Sequence, residues 1–359
     1  MKKSIVLVMC ALGVFAMLGT SCKKDENKAG KNFTYNIIEM EDEDFDGRVF
    51  IDPFNQPKWQ NTDVVRVYNV DENDFMNTVS GIFYATSEDG ATVTDLTGNE
   101  PVGEMQTCYM AYYPGDNDHV TGVLAAGNKE TFTLDATQYA QVDPVYFGLN
   151  IDRKALAMAS RIDEGSHFPF KAIAGVARLK LRQASMVPNT TTDENGVTTT
   201  VMVGKYCIDK IELTDNQWTL NGKVAVDLTA LNSDDITTMT NSYKTNGINQ
   251  EMLDYAAGVG YEVVESGTKT IMLDCTQVEE EYRIPNASTA KYFYFGLRPF
   301  ALGEGFVVKI YCHETLTGEK FTHVINNWNQ INDHAYTVEP NRIKGFNYVL
   351  PENLTQEEW

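Results

Sequence analysis

Along most of the chain, apolar and polar side chains alternate with a period of two in short runs, each closed by Gly, Asn, Asp or Pro. That alternation puts successive side chains on opposite faces and predicts half-buried β-strands. The runs are 64–70 (VVRVYNV), 82–86 (IFYAT), 105–114 (MQTCYMAYYP), 131–134, 145–151, 176–182 (VARLKLR), 206–213, 223–228, 269–275, 291–297, 306–312 and 322–325. Helical spacing is scarce, and only 153–162 and 250–259 predict short helices. A Pro-containing stretch at 168–170 reads as a junction between two halves. The polar stretch 188–200 (PNTTTDENGVTTT), with Asn-Gly at its centre, predicts an exposed hairpin loop. Near the end, 343–350 (IKGFNYVL) is apolar enough for one surplus strand. Short strands at roughly ten-residue intervals with turn signals predict an all-β chain of two β-sandwiches, with a boundary near residue 165.

The first residues change the picture from fold to location. Lys2 and Lys3 precede an apolar run over 5–18, too short to span a bilayer comfortably, which ends in LGTSC. This resembles a bacterial lipobox, in which Cys22 is lipidated and becomes the first residue. An ordinary secretory signal cut elsewhere and an uncleaved anchor are the alternatives. The following KKDENKAGKN has no apolar periodicity and reads as a flexible tether. Its Lys-Lys-Asp-Glu start resembles acidic surface-export signals, or is simply a solvated spacer. The resulting divisions are 1–21 signal, 22–47 tether and first strand, 48–165 and 166–340 sandwiches, and 341–359 a C-terminal segment.

Charge and cysteine use narrow the chemistry. With 29 basic and 50 acidic residues the net charge is −21, a field that repels phosphate backbones and excludes a nucleic-acid partner. Beyond the signal and Cys22 the cysteines are Cys108, Cys207, Cys275 and Cys312, with no CxxC pair to suggest zinc or thioredoxin-like chemistry. Strand register places Cys275 and Cys312 facing the core, where a thiol acts as a small hydrophobe. A disulfide is permitted outside the cytoplasm, and spacing does not say which pair would form. His119, His167, His313, His323 and His334 stand at no metal-ligand spacing. A cross-strand contact between His313 and His323 is one reading, and ordinary exposed residues the plainer one. Asp42, Asp44 and Asp46 with Gly47 match the front of a calcium loop, but Pro53 occupies the place of the closing Glu. A solvated acidic linker is the plainer reading. Trp59, Trp218, Trp328 and Trp359 offer sugar-stacking faces or core anchors. Nucleophile elbow, P-loop and glycine fingerprint motifs are missing from the sequence, so a non-enzyme needing no cofactor is expected.

Several segments carry a family resemblance together. KWQNTDVVRVYNV, IFYATSEDGATVTDLTG, CYMAYYPGD, FPFKAIAGVARLKL, KIELTDNQWTLNGKVAVDLT and YFYFGLRPFALGEGFVVKIYCHETLTGEKFTHVI resemble, in that order, the fimbrillin-type surface lipoproteins of the Bacteroidetes. The resemblance covers roughly residues 58 to 340. Two departures stand out: Thr62, where the family usually has Gly before Asp63, and the 188–200 stretch, which looks inserted. The resemblance implies two transthyretin-like Greek-key β-sandwich domains in tandem, in a pilus subunit, anchor or tip held on the outer membrane by its lipid. It further implies removal of the first strand by an Arg- or Lys-directed protease, at Arg48 or, second, Lys58. A strand of a neighbouring subunit then fills the groove, with Ile343, Phe346, Tyr348 and Leu350 as donor residues. Partners would be other fimbrial subunits and host or bacterial surface ligands. A surface glycan-binding lipoprotein for nutrient uptake is the competing expectation.

Overall fold

A computed structural model describes residues 33–37, 41–42, 59–74, 77–88, 91, 94–98, 102–116, 129–142, 148–172, 174–215, 219–227, 261–298, 302, 305–326, 338, 342–357 and 359. Within these the chain is almost entirely β, with one short helix (α1, Glu280–Arg283) and one 3-10 turn (Arg153–Ala155). Cys22, Arg48, Lys58, Asp44, Asp46, His119, His334, Trp218, Trp328 and the helix expected at 250–259 lie outside the described residues.

The first half is a seven-stranded closed barrel. Its strands are β1 (Phe33–Ile37), β3 (Val64–Val70), β4 (Val79–Ala85), β5 (Asp95–Gly98), β6 (Cys108–Tyr113), β11 (Met158–Ile162) and β12 (His167–Ala172), in the order β1-β12-β11-β6-β3-β4-β5. β1 closes the ring, pairing parallel with β12 and antiparallel with β5. Val65, Val67, Tyr109, Ala111 and Tyr113 point inward onto Trp59, Phe83 and Phe170. The opposite parity of the same strands, Tyr68, Val70, Cys108, Met110 and Tyr112, is buried too. A three-stranded sheet of β18 (Tyr261–Ser266), β17 (Gly222–Asp227) and β7 (Lys129–Leu134) supplies Phe132, Leu134 and Val224 to cover it. A strand buried on both faces needs an unbroken apolar run, which is what CYMAYY is.

Two expectations fail in this half. The helix expected over 153–162 is a 3-10 turn followed by strand β11, which lies between β6 and β12. Its Ala-rich composition favours a helix locally, but small Ala157 and Ala159 fit beneath the covering sheet while Met158 and Ile162 fill the barrel. Tertiary pairing overrides propensity here. The junction expected at 168–170 is strand β12, with Phe168 and Phe170 fully buried.

The second half is a sandwich. Six strands, β24 (Thr355–Gln356), β22 (Lys320–Asn326), β21 (Phe306–Glu314), β16 (Tyr206–Asp215), β19 (Thr270–Asp274) and β8 (Thr137–Tyr139), form one layer. The facing layer is β2 (Glu41–Asp42), β23 (Arg342–Leu350), β13 (Gly175–Gln183) and β20 (Lys291–Leu297). Ile211, Leu213, Ile271, Leu273, Val308 and Ile310 meet Leu179, Leu181, Phe293, Phe295, Phe346 and Leu350 between the layers. Cys275 and Cys312 sit in this core as their register predicts, and all four described cysteines are free and buried. The halves share strands, since β7 and β8 precede the barrel's β11 yet pair with β17 and β19. The side chain of Gln138 on β8 bonds both to the backbone oxygen of Gly296 at 2.7 Å and from its N–H at 2.9 Å, imitating a strand neighbour for β20. Two short strands, β9 (Gln141–Val142) and β10 (Leu149–Asn150), pair with each other. β14 (Met186–Thr192) and β15 (Thr198–Gly204) form the hairpin expected around Asn195-Gly196.

Candidate functional site

The surplus strand of the sequence is β23, the segment expected to act as a donor, and its seat is well defined. β23 runs parallel to β13 in register from Val176 opposite Ile343 to Gln183 opposite Leu350. On its other side β2 pairs only with Arg342 and Ile343, so the edge from Lys344 onward has no strand neighbour among the described residues. The four expected donor residues divide between two cores. Ile343 faces the barrel cluster with Val176 and Tyr294, whereas Phe346 and Leu350, of the other parity, enter the sandwich core. Phe346 packs on Phe306 with ring centroids 4.6 Å apart. Tyr348 is half-buried, its hydroxyl 2.7 Å from Nε2 of His323. At Gly345 a Cβ would meet the guanidinium of buried Arg178 at 2.8 Å, so a larger residue there requires that side chain to shift.

Beyond β23 the chain crosses to the opposite layer. The carbonyl of Glu352 accepts from the hydroxyls of Tyr206 and Ser185, and β24 then pairs with β22. Trp359 ends on the outer face of that layer, edge-on to Tyr311 at 5.5 Å and under Lys320 Nζ at 4.5 Å. Its ring is engaged by the protein itself. Trp59 is a core anchor, T-shaped to Tyr113 and Phe170.

His167 is exposed, but neither His313 nor His323 is the plain exposed residue of the simpler reading: each is half-buried, and the two do not meet. Each lies on one strand of the β21–β22 hairpin, His313 opposite Lys320 and His323 opposite Ile310. Burial lowers the pKa of His323. His313 joins a buried cluster that the sequence did not reveal. Pairing of β16 with β21 slips between Ile208 and Lys210, leaving Asp209 as an extra residue. Such a bulge turns one side chain out of its alternation. Asp209 Oδ1 accepts from Arg283 Nη1 at 2.8 Å, and its Oδ2 lies 2.8 Å from Nδ1 of His313. Glu280 on α1 approaches the other nitrogen of His313 at 3.3 Å. Cys207 lies close enough to complete a metal-like trio with Asp209 and His313. Within the trio the Arg283 guanidinium pairs with the Asp209 carboxylate, and burial pushes the Cys207 thiol up to about 12. No short motif could have found the cluster, because Asp209, Arg283 and His313 meet only through the bulge and α1.

Near the barrel rim, Asp63 accepts from the Gln60 amide at 2.8 Å, the Tyr113 hydroxyl at 3.2 Å and Arg153 at 3.2 Å. Burial nonetheless raises its pKa, against the opposing pull of those donors. Thr62, the departure from the family pattern, has φ +73°. Glycine adopts that left-handed conformation without strain, which is a physical reason for a Gly there.

No protein-family model and no curated protein matches the chain. Among solved structures it is similar to a candidate cell adhesion protein of Bacteroides ovatus, at 14% identity over 92% of this chain and 97% of that one, with TM-score 0.45. A candidate cell adhesion protein of Bacteroides uniformis is 12% identical over 83% and 91%, with TM-score 0.43. A fimbrial assembly protein of Parabacteroides distasonis is 8% identical over 92% and 100%, with TM-score 0.31.

Proposed function

We propose that this chain is a structural or adhesive component of cell-surface fimbriae, exported as a lipoprotein through Cys22 and assembled by β-strand exchange. The observation that carries the reading is the position of the strands that precede Arg48. β1 closes the barrel between β12 and β5, and β2 flanks the start of β23. Cleavage at Arg48, or at Lys58, would sever the covalent link between both strands and the rest of the fold. Loss of β1 would leave β12 and β5 with unpaired N–H and C=O groups, the condition under which an extended segment binds by strand addition. The segment of Ile343, Phe346, Tyr348 and Leu350 from a neighbouring subunit is the donor. In this reading the role is non-enzymatic, the location is the cell surface, and the partners are other fimbrial subunits.

The test uses residues 23–359 treated briefly with an Arg-specific protease and run unboiled on a denaturing gel, with cut sites mapped by N-terminal sequencing. A ladder of high-mass species that requires both cleavage near Arg48 and the segment beyond Arg342 supports a stalk subunit. A product that stays monomeric whether cut or whole removes strand exchange and leaves an anchor or tip role, to be separated by a glycan array from the sugar-binding alternative.

A further inference from the structure

The β14–β15 hairpin is a two-stranded ribbon that pairs with no other strand among the described residues. An isolated hairpin is marginally stable in water, so a ribbon of seven residue pairs with both edges free calls for an explanation. Its hydrogen-bond phase follows from its ends. The Asp193 N–H donates to the Val197 carbonyl at 3.0 Å and the Lys205 N–H to the Ser185 carbonyl at 3.1 Å. Hydrogen-bonded pairs alternate with non-bonded ones in an antiparallel ladder. The odd-numbered residues therefore bond across the hairpin, and the even-numbered ones turn their N–H and C=O outward. Two observations agree: the hydroxyls of Thr190 and Thr200, and of Thr192 and Thr198, touch at 2.9 and 3.1 Å, as the closer non-bonded pairs allow. The outward carbonyl of Gly204 is taken by the Thr315 hydroxyl at 2.8 Å.

The two edges are then unequal. On β14 the outward row includes Pro188, which has no N–H and whose ring obstructs an approaching strand. On β15 the outward row is Thr198, Thr200 and Met202, with neither proline nor charge. Charged edge residues are a common guard against edge-to-edge pairing, and this edge lacks them. Val197, Val201 and Met202 are more than half exposed beside it.

We propose that the outer edge of β15 is a strand-addition site for a second copy of this chain. The occupant follows from charge and symmetry. Copies of net charge −21 repel each other, but the ribbon's strands carry no charged side chain and its turn acids Asp193 and Glu194 lie beyond the paired segment, so contact along the strands sets no acid directly against another. Antiparallel pairing about Thr200 sets Thr198 against the other copy's Met202 and Thr200 against itself, engaging the outward groups of all three residues on both copies. It joins two ribbons into one four-stranded sheet made largely of Thr and Val, residues that suit a pleated surface. This contact needs neither cleavage at Arg48 nor movement of β23.

The experiment is light scattering of purified, uncut residues 23–359 from about 1 μM to about 1 mM, the span of weak association. The mass should rise from one copy to two with concentration, and more readily in high salt, because screening relieves repulsion between like-charged copies. Thr200→Pro removes an outward N–H, leaving the hairpin's own ladder intact, and should weaken dimerisation by more than about tenfold. Thr200→Lys should do the same by charge, with circular dichroism confirming that both variants fold. Thr190→Pro, the matching change on the already obstructed edge, should leave the dimer unaltered. A chain monomeric throughout the range, a Thr200→Pro variant that dimerises normally, or equal loss with Thr190→Pro would overturn the proposal.

Discussion

Replacing Phe346 by alanine tests whether β23 is a seated strand with an exchangeable grip. Phe346 is 9% exposed and its ring lies against Phe306 at 4.6 Å, so truncation removes a core contact and leaves a cavity between the sandwich layers. Phe→Ala changes in cores cost about 3–5 kcal/mol. The low end, about 3 kcal/mol, applies to a strand with one side open to relaxation. The loss falls on the seated state, since the side chain is solvated once the strand has left. Each 1.4 kcal/mol is tenfold, so local opening becomes about a hundredfold more frequent. Amide hydrogen exchange of the peptide 342–350 reads this directly, because exchange through local opening tracks the opening equilibrium. Val349→Ala, on the 56% exposed position of the other face, should change exchange little, since such surface changes stay within about 0.5 kcal/mol. Exchange of Phe346→Ala within about threefold of the parent, or an equal effect of Val349→Ala, would refute the burial argument, as either falls outside these magnitudes.

Other predictions follow from single sites. Burial lowers the His323 pKa, so the unfolded chain binds its proton more readily; stability is full above the ordinary histidine value and falls as pH drops below it through the folded pKa. Urea midpoints should therefore decline below about pH 6.5, and less so in His323→Phe. Thr62→Gly relieves an L-residue at positive φ, a cost of about 1–2 kcal/mol, against a glycine entropy penalty of about 0.5–1 kcal/mol. A net gain near 0.5–1 kcal/mol is expected in denaturant unfolding, and a loss would count against the assigned backbone conformation. Arg283→Met strands the Asp209 carboxylate beside His313 and should cost about 3–5 kcal/mol, much of it recovered by adding Asp209→Asn. Burial pushes Cys108 up to about 11 and Cys207 up to about 12, and raises Cys275 and Cys312 as well. None of the four should react with a thiol reagent at neutral pH before unfolding, and prompt labelling of any one would contradict its burial.

Local chemistry was legible in the sequence, and pairing at a distance was not. Strands β3 and β20 match their expected bounds to the residue, because alternation along a half-buried strand is written in the strand itself. The β14–β15 hairpin follows from Asn195-Gly196, where Gly196 takes the positive φ that the turn demands. The Met105 to Pro114 run announced a strand but not that both its faces are covered, since the covering sheet joins Phe132 and Leu134 of β7 to Val224 of β17, about a hundred residues further along the chain. β11 looked helical because alanine favours helices, and only the room beneath β7 and β17 made small residues right for a strand. Asp209 reads as an ordinary polar position until the bulge turns it toward Arg283. The apolar run 343–350 declared a strand, yet its seat along β13, with Ile343 serving one core and Phe346 and Leu350 the other, was set by tertiary structure alone. Side-chain periodicity depends on neighbours two residues away, whereas a strand's partner depends on which other edge lies beside it once the chain has collapsed.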